Sequence, residues 1–127
     1  MSSGPALVSI LRQGSFLIAS VHTALDDSEM LRFRGDLIDQ IGRYRARGVI
    51  IDVAALDVLD SFGSRTLRNI AEMARLRGAE TIIVGIQPDV AFAIVELGMD
   101  TGTVATALDL EDGLADLGRR GRHPVPR

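Results

Sequence analysis

The sequence predicts an α/β domain, a mixed four- to five-stranded β-sheet with helices packed against it. Two apolar runs, residues 49–53 and 81–84, are typical of strands that are covered on both faces. Between these runs, apolar residues recur at helical spacing over residues 67–74. Strands that alternate with helices indicate parallel pairing through right-handed helical crossovers.

The first half of the chain predicts a hairpin followed by a helix. Residues 7–11 and 16–21 are β-prone and flank a Gln-Gly turn, so they are candidates for an antiparallel pair. Acidic and cap-type side chains at residues 26–28 are typical of a helix N-terminus. The apolar residues of segment 33–41 lie four apart, and Gly48 is placed to end this helix.

The second half predicts three more helices and one or two further strands. The helix over residues 67–74 is expected to end near Gly78. A turn at residues 85–88 leads into a third helix through residue 97. A short strand is expected near Val104, and a last helix over residues 109–117. We therefore expect a single domain at residues 7–118, a flexible N-terminus at residues 1–6 and a disordered basic tail at residues 119–127.

Composition excludes several classes of protein. The chain has 127 residues, no cysteine and no lysine, because all 14 basic residues are arginine. Disulfides, thiolate sites, Walker-type phosphate loops and Schiff-base chemistry are therefore excluded, and the missing lysine argues against a receiver domain. A net charge of −3 disfavours nucleic acid, and the longest apolar run, six residues, is too short to cross a membrane. We expect a cytoplasmic protein without cofactor or metal.

Ser61 raises the main functional question, because it stands where an apolar strand gives way to a helix. It or Ser64 is suited to cap that helix, since serine is a preferred N-cap residue. A nucleophilic role is disfavoured, because neither serine lies in a G-x-S-x-G motif. Histidines that could act as a general base for these serines are also scarce, because His22 lies at the end of the second predicted strand and His123 lies in the tail.

The remaining role for Ser61 is phosphate acceptor. A helix N-terminus stabilises an added phosphate through its free N–H groups and its partial positive charge. Asp57 and Asp60 would repel that phosphate, whereas Arg65 and Arg68, about one to two turns onward, would offset the repulsion.

Two motifs resemble a known family. The segment I-D-V at residues 51–53 with D-S-F-G at residues 60–63 resembles the signature of STAS domains, in whose anti-sigma-factor antagonists the serine of D-S-x-G is phosphorylated by a partner kinase. The segments G-I-Q-P at residues 85–88 and V-E-L-G at residues 95–98 resemble the stressosome subgroup, which holds RsbS-type scaffolds and their RsbR-type sensor paralogues. The expected acceptor is serine, and we expect no sensor domain before residue 7, so the RsbS type is the expected subgroup.

The resemblance implies a non-enzymatic scaffold that sequesters a serine kinase of the RsbT type and releases it when phosphorylated on Ser61. It also implies RsbR-type paralogues, a phosphatase and self-association through STAS contacts. The alternative within the family is an anti-sigma-factor antagonist controlled by serine phosphorylation. The expected partner-binding residues surround Ser61: Asp57, Asp60, Phe62, Gly63, Ser64, Arg65 and Arg68.

Several other assignments stay open in the sequence. Phe62 is either a core residue or an interface anchor. Asp52 and Asp57 are solvated loop charges by default, and metal binding by them lacks a recognisable ligand spacing. The arginine-rich tail is better explained as solvated than as a nucleic-acid contact. A small-ligand module is disfavoured, because the chain has no glycine-rich phosphate cradle.

Overall fold

The computed structural model describes residues 7–96 and 104–122. Nine elements follow one another along these residues. They are β1 (Val8–Gln13), β2 (Phe16–Val21), α1 (Asp27–Tyr44), β3 (Gly48–Asp52), α2 (Ser61–Leu76), β4 (Glu80–Val84), α3 (Pro88–Glu96), β5 (Ala105–Ala107) and α4 (Leu110–Arg122).

The sheet has five strands in the order β1-β2-β3-β4-β5. Strands β1 and β2 form an antiparallel hairpin, whose turn contains Gly14 at a φ of 63°. The other three pairings are parallel, and each is joined by a helix or helical crossover. The predicted mixed sheet is thus confirmed, with five strands.

Helices cover the two faces of the sheet unequally. Helices α1 and α2 pack together and bury the larger core against residues such as Leu17, Val49 and Ile51. The opposite face is covered by α4, which packs Leu117 against a smaller set of side chains: Ile50, Ile82 and Val84. The central strands β3 and β4 are therefore buried on both faces, as their continuous apolar runs predict.

Two helix ends differ from the sequence prediction. Helix α1 ends before Arg45, which adopts a left-handed conformation at a φ of 50°, whereas the predicted terminator Gly48 is the first residue of β3. Helix α4 continues to Arg122 and so includes the first part of the predicted disordered tail. Arginine is a good helix former and interacts favourably with a helix C-terminus, and Arg119 also pairs with Asp116 at 3.4 Å.

Three sequence predictions lie outside the described residues. They concern the flexible N-terminus at residues 1–6, the end of the third helix at residue 97 and the tail beyond residue 122. None of the helices in the described part of the chain is long and apolar enough to span a membrane.

Candidate functional site

The segment between β3 and α2, residues 53–60, directly precedes the predicted acceptor Ser61 and is anchored in the core. The side chains of Leu56 and Leu59 are buried. The backbone N–H of Val53 donates to the carbonyl of Val84 at 3.0 Å, and that of Leu56 donates to Val53 at 2.9 Å. These contacts hold both ends of the segment, so α2 begins at a fixed place beside the carboxyl ends of the parallel strands.

A second set of contacts converges on Ala54. Its N–H donates to Asp52 Oδ1 at 2.9 Å, and its carbonyl accepts from Gln87 Nε2 at 2.7 Å. Gly85 has a φ of +77°, and a Cβ built there would lie 2.8 Å from the Ala54 Cβ. The turn after β4 therefore packs against the turn after β3 and is hydrogen bonded to it, and Asp52 stabilises the turn after β3 through its bond to the Ala54 N–H.

Asp60 is the N-cap of α2. Its backbone is extended, and its Oδ1 accepts from the Gly63 N–H at 2.7 Å. This geometry decides the capping question, because Asp60 takes the role for which Ser61 and Ser64 were candidates.

Ser61 is the first residue of α2 and its side chain is half-buried. Its hydroxyl is not needed to cap the helix, and it lies at the positive end of the helix dipole. His22 is hydrogen bonded to the Ser9 hydroxyl. No described side chain is hydrogen bonded to the Ser61 hydroxyl as a general base would be.

The predicted partner-binding residues separate into buried and exposed sets. Gly63 is buried, and a Cβ there would lie 2.8 Å from Leu59 Cδ1. Ser64 is 8% exposed, and its Oγ has no hydrogen-bond partner. Phe62 is half-buried and packs against the main core. Gly63 and Ser64 are both buried in the domain, and their contact with a partner stays a prediction.

The exposed set consists of charged residues. Asp57, Asp60, Arg65 and Arg68 all lie at the surface around Ser61. Val58, in the same segment, is 63% exposed. A visiting protein would therefore meet a half-buried hydroxyl with carboxylates on the N-terminal side and guanidinium groups on the C-terminal side. Within the described ranges, no three His, Asp or Glu side chains converge as metal ligands would.

Comparison with known proteins identifies the fold. The model of the STAS domain matches residues 8–112. The chain belongs to the STAS domain family. It is similar to RsbRA of Bacillus subtilis (strain 168), an RsbT co-antagonist protein, with 30% identity over 90 residues that make up 71% of this chain and 33% of RsbRA. The chain thus spans about a third of the length of that relative.

Two solved structures extend the similarity to stressosome proteins. A serine-to-glutamate variant of RsbS from Moorella thermoacetica has a TM-score of 0.82 and 34% identity, with 93% of this chain and 100% of that chain covered. A chain of the stressosome, described as a signal integration and transduction hub, has a TM-score of 0.74 and 31% identity, with coverages of 91% and 100%. The resemblance to stressosome STAS domains of the RsbS type is therefore confirmed.

Sequence reasoning missed two features of the site. In the sequence, the motif at residues 85–88 indicates only the family. In the structure, its Gly85 and Gln87 contact Ala54 and so hold the segment at residues 53–60 in place. The burial of Ser64 had a visible signal, because Leu67, Ala71 and Ala74 follow it at spacings of three, seven and ten residues on the apolar face of α2.

Proposed function

We propose that this STAS domain is a non-enzymatic scaffold that holds a serine kinase of the RsbT type and releases it when Ser61 is phosphorylated. One observation carries the proposal: Asp60 caps α2, so the hydroxyl of the half-buried Ser61, at the first helical position, is not needed as the cap. The similarity to RsbRA, an RsbT co-antagonist, and to RsbS supports the choice of partner.

The modification is a phosphoryl transfer for which the kinase supplies ATP. The Ser61 oxygen forms a bond to the γ-phosphorus while the bond from that phosphorus to the bridging oxygen of ADP breaks. The hydroxyl proton passes to a base of the kinase or to water, and ADP leaves. The product carries close to two negative charges at the head of α2. A matching phosphatase would hydrolyse the ester and restore the hydroxyl.

Release follows from charge and volume at the docked surface. A bare serine fits against a partner, whereas its phosphate brings a dianion close to Asp57 and Asp60. A buried charge without a partner costs on the order of 3–5 kcal/mol. A penalty of about 2.8 kcal/mol already weakens binding about a hundredfold, which is enough to free a kinase.

The domain would act within a larger cytoplasmic assembly. Self-association through STAS contacts and co-assembly with RsbR-type paralogues are supported by the similarity to a stressosome chain and to RsbRA. An anti-sigma-factor antagonist would instead bind a soluble kinase one to one.

Incubation with an RsbT-type kinase and ATP, followed by mapping of the added phosphate by mass spectrometry, tests the acceptor. We expect a single phosphate on Ser61, none on the Ser61→Ala variant and unchanged labelling of the Ser64→Ala variant, because Ser64 is buried. Phosphate on another residue, or equal labelling of Ser61→Ala, would refute the assignment.

A further inference from the structure

The outer face of α2 carries a row of arginines that begins one turn after Ser61. Arg65, Arg68 and Arg75 are all exposed. Positions 61, 65, 68 and 75 share one side of the helix, because their spacings of four, seven and fourteen residues follow the helical repeat. The opposite side is buried against the sheet and α1 and consists of Gly63, Ser64, Thr66, Leu67, Ile70, Ala71 and Ala74.

This face is positively charged in a chain that is negative as a whole. The sequence from Ser61 to Arg77 holds four arginines and one acidic residue, Glu72, whereas the net charge of the chain is −3. Within the described part of the chain, no carboxylate forms an ion pair with the guanidinium group of Arg65, Arg68 or Arg75.

Helix α1, which packs beside α2, adds a further arginine next to the positive charge of Arg65, Arg68 and Arg75. Where α1 contacts the outer side of α2, it contributes Arg34, whose Nη1 donates to Asn69 Oδ1 at 3.1 Å. Glu72 also lies on this side of α2, four residues after Arg68 and three before Arg75, but no ion pair joins it to either within the described part of the chain. Three arginines against one carboxylate leave this face with a net positive charge that can attract an external anion. Because they extend along a helix for about three turns, they fit an extended acidic surface better than a small ion.

We propose that Arg65, Arg68 and Arg75, the arginine surface, bind an acidic surface of the kinase, and that the phosphate on Ser61 competes for it by pairing with Arg65. This inference rests on the proposed function and adds the chemistry of the partner and the route of release. Phosphorylation then weakens docking by occupying an arginine that the kinase needs, in addition to adding charge at the interface.

Helix geometry favours the internal pair. Residues four apart have Cβ atoms about 5–6 Å apart, within reach of an arginine and a phosphoserine. Guanidinium binds phosphate through two parallel hydrogen bonds, and such charge-assisted bonds are stronger than neutral ones. The phosphate is tethered beside Arg65, so its effective concentration exceeds that of a docking carboxylate from another molecule.

The first experiment measures the affinity of purified RsbT-type kinase for unphosphorylated wild type and for Arg65→Gln, Arg68→Gln and Arg75→Gln. We expect each variant to bind about fivefold more weakly, the effect of a partly exposed charge pair, and the triple variant about a hundredfold more weakly. Raising the salt from about 50 mM to about 300 mM should weaken wild-type binding and leave the triple variant almost unaffected. Thermal unfolding of each variant establishes that it folds.

Arg119→Gln is the matched control, because Arg119 is an exposed arginine on α4, at the opposite face of the sheet. It should bind like wild type. If the triple variant binds the kinase as tightly as wild type does, and the kinase still phosphorylates its Ser61, the proposed role of the arginine surface is wrong and the proposed function stands. Failure of wild type to bind the kinase at all would instead overturn the proposed function.

A double-mutant cycle tests the route of release. Ser61→Asp should weaken kinase binding in both backgrounds, but by a smaller factor in the Arg65→Gln background than in the wild-type background, because the competed arginine, worth about fivefold, is already absent there. The same loss in both backgrounds would show that the charge at Ser61 acts without Arg65 and would overturn the competition.

Discussion

At the head of α2, two adjacent residues perform separate tasks. Asp60 accepts a hydrogen bond from the Gly63 N–H, and the half-buried Ser61 occupies the first helical position, where we propose that it is phosphorylated. The sequence predicts a helix start here, but it leaves open which side chain caps the helix, because serine and aspartate are comparable N-caps. The structure decides between them, because the backbone of Asp60 is extended and its Oδ1 accepts from the Gly63 N–H.

Asp60→Ala should lower the free energy of unfolding by about 1 kcal/mol, because α2 loses its cap. Asp57→Ala is the control: the side chain is exposed and caps nothing, so its effect should stay within about 0.5 kcal/mol. Chemical denaturation of both variants measures the difference. Equal effects would mean that the Asp60–Gly63 bond contributes nothing to stability.

Gly63→Ala should also lower the free energy of unfolding by about 1 kcal/mol. Its Cβ would lie 2.8 Å from Leu59 Cδ1 and 3.3 Å from Met30 Cε, so the packed side chains must shift. Gly35→Ala is the helical control, because nothing lies within 4 Å of a Cβ at that position of α1. This variant should gain about 0.5–1 kcal/mol from helix propensity, so the two changes should have opposite signs.

At the scale of elements, the turn after β4 holds the segment that precedes α2. Gln87 donates to the Ala54 carbonyl at 2.7 Å, and Gly85 allows the two turns to approach closely. Strand and helix identities could be predicted from periodicity, because each element buries one face or both. The hydrogen bond from Gln87 to the Ala54 carbonyl could not be predicted in this way, because it joins residues 33 positions apart and its acceptor is a backbone carbonyl, which no sequence pattern identifies.

Gln87→Ala should loosen the acceptor segment more than the rest of the domain. We expect faster amide hydrogen exchange in residues 54–60 and a loss of about 1 kcal/mol of global stability, the value of one hydrogen bond. Asp89→Ala, in the exposed first turn of α3, is the control and should leave that exchange unchanged. Unaltered exchange in Gln87→Ala would show that the two turns are held by packing alone.

At the scale of the whole molecule, one sheet separates two surfaces of different character. The face with α1 and α2 carries Ser61 and the arginine surface, whereas α4 covers the other face and has Glu111 and Asp112 in its first turn. The mixed sheet could be predicted because the apolar runs of β3 and β4 are typical of strands covered on both faces, and the helical segments between the strands are placed to cover them. The length of α4 could not, because its last turn contains polar residues that also suit a solvated tail.

Assembly is the prediction that belongs to this scale. Mixed with an RsbR-type paralogue, the chain should form a particle of megadalton size, as measured by light scattering after size exclusion. The Ser61→Asp variant should assemble equally well, because the proposed switch acts on the kinase and leaves the scaffold intact. A one-to-one complex with a kinase, and no large particle, would favour the anti-sigma-factor antagonist.

The affinity of the RsbT-type kinase for the chain before and after modification of Ser61 tests the central claim most directly. Titration calorimetry should give tight binding for wild type and for Ser61→Ala, and binding about a hundredfold weaker for the phosphorylated chain, with a loss in the same direction for Ser61→Asp. Equal affinity for the bare and the phosphorylated chain would contradict the account.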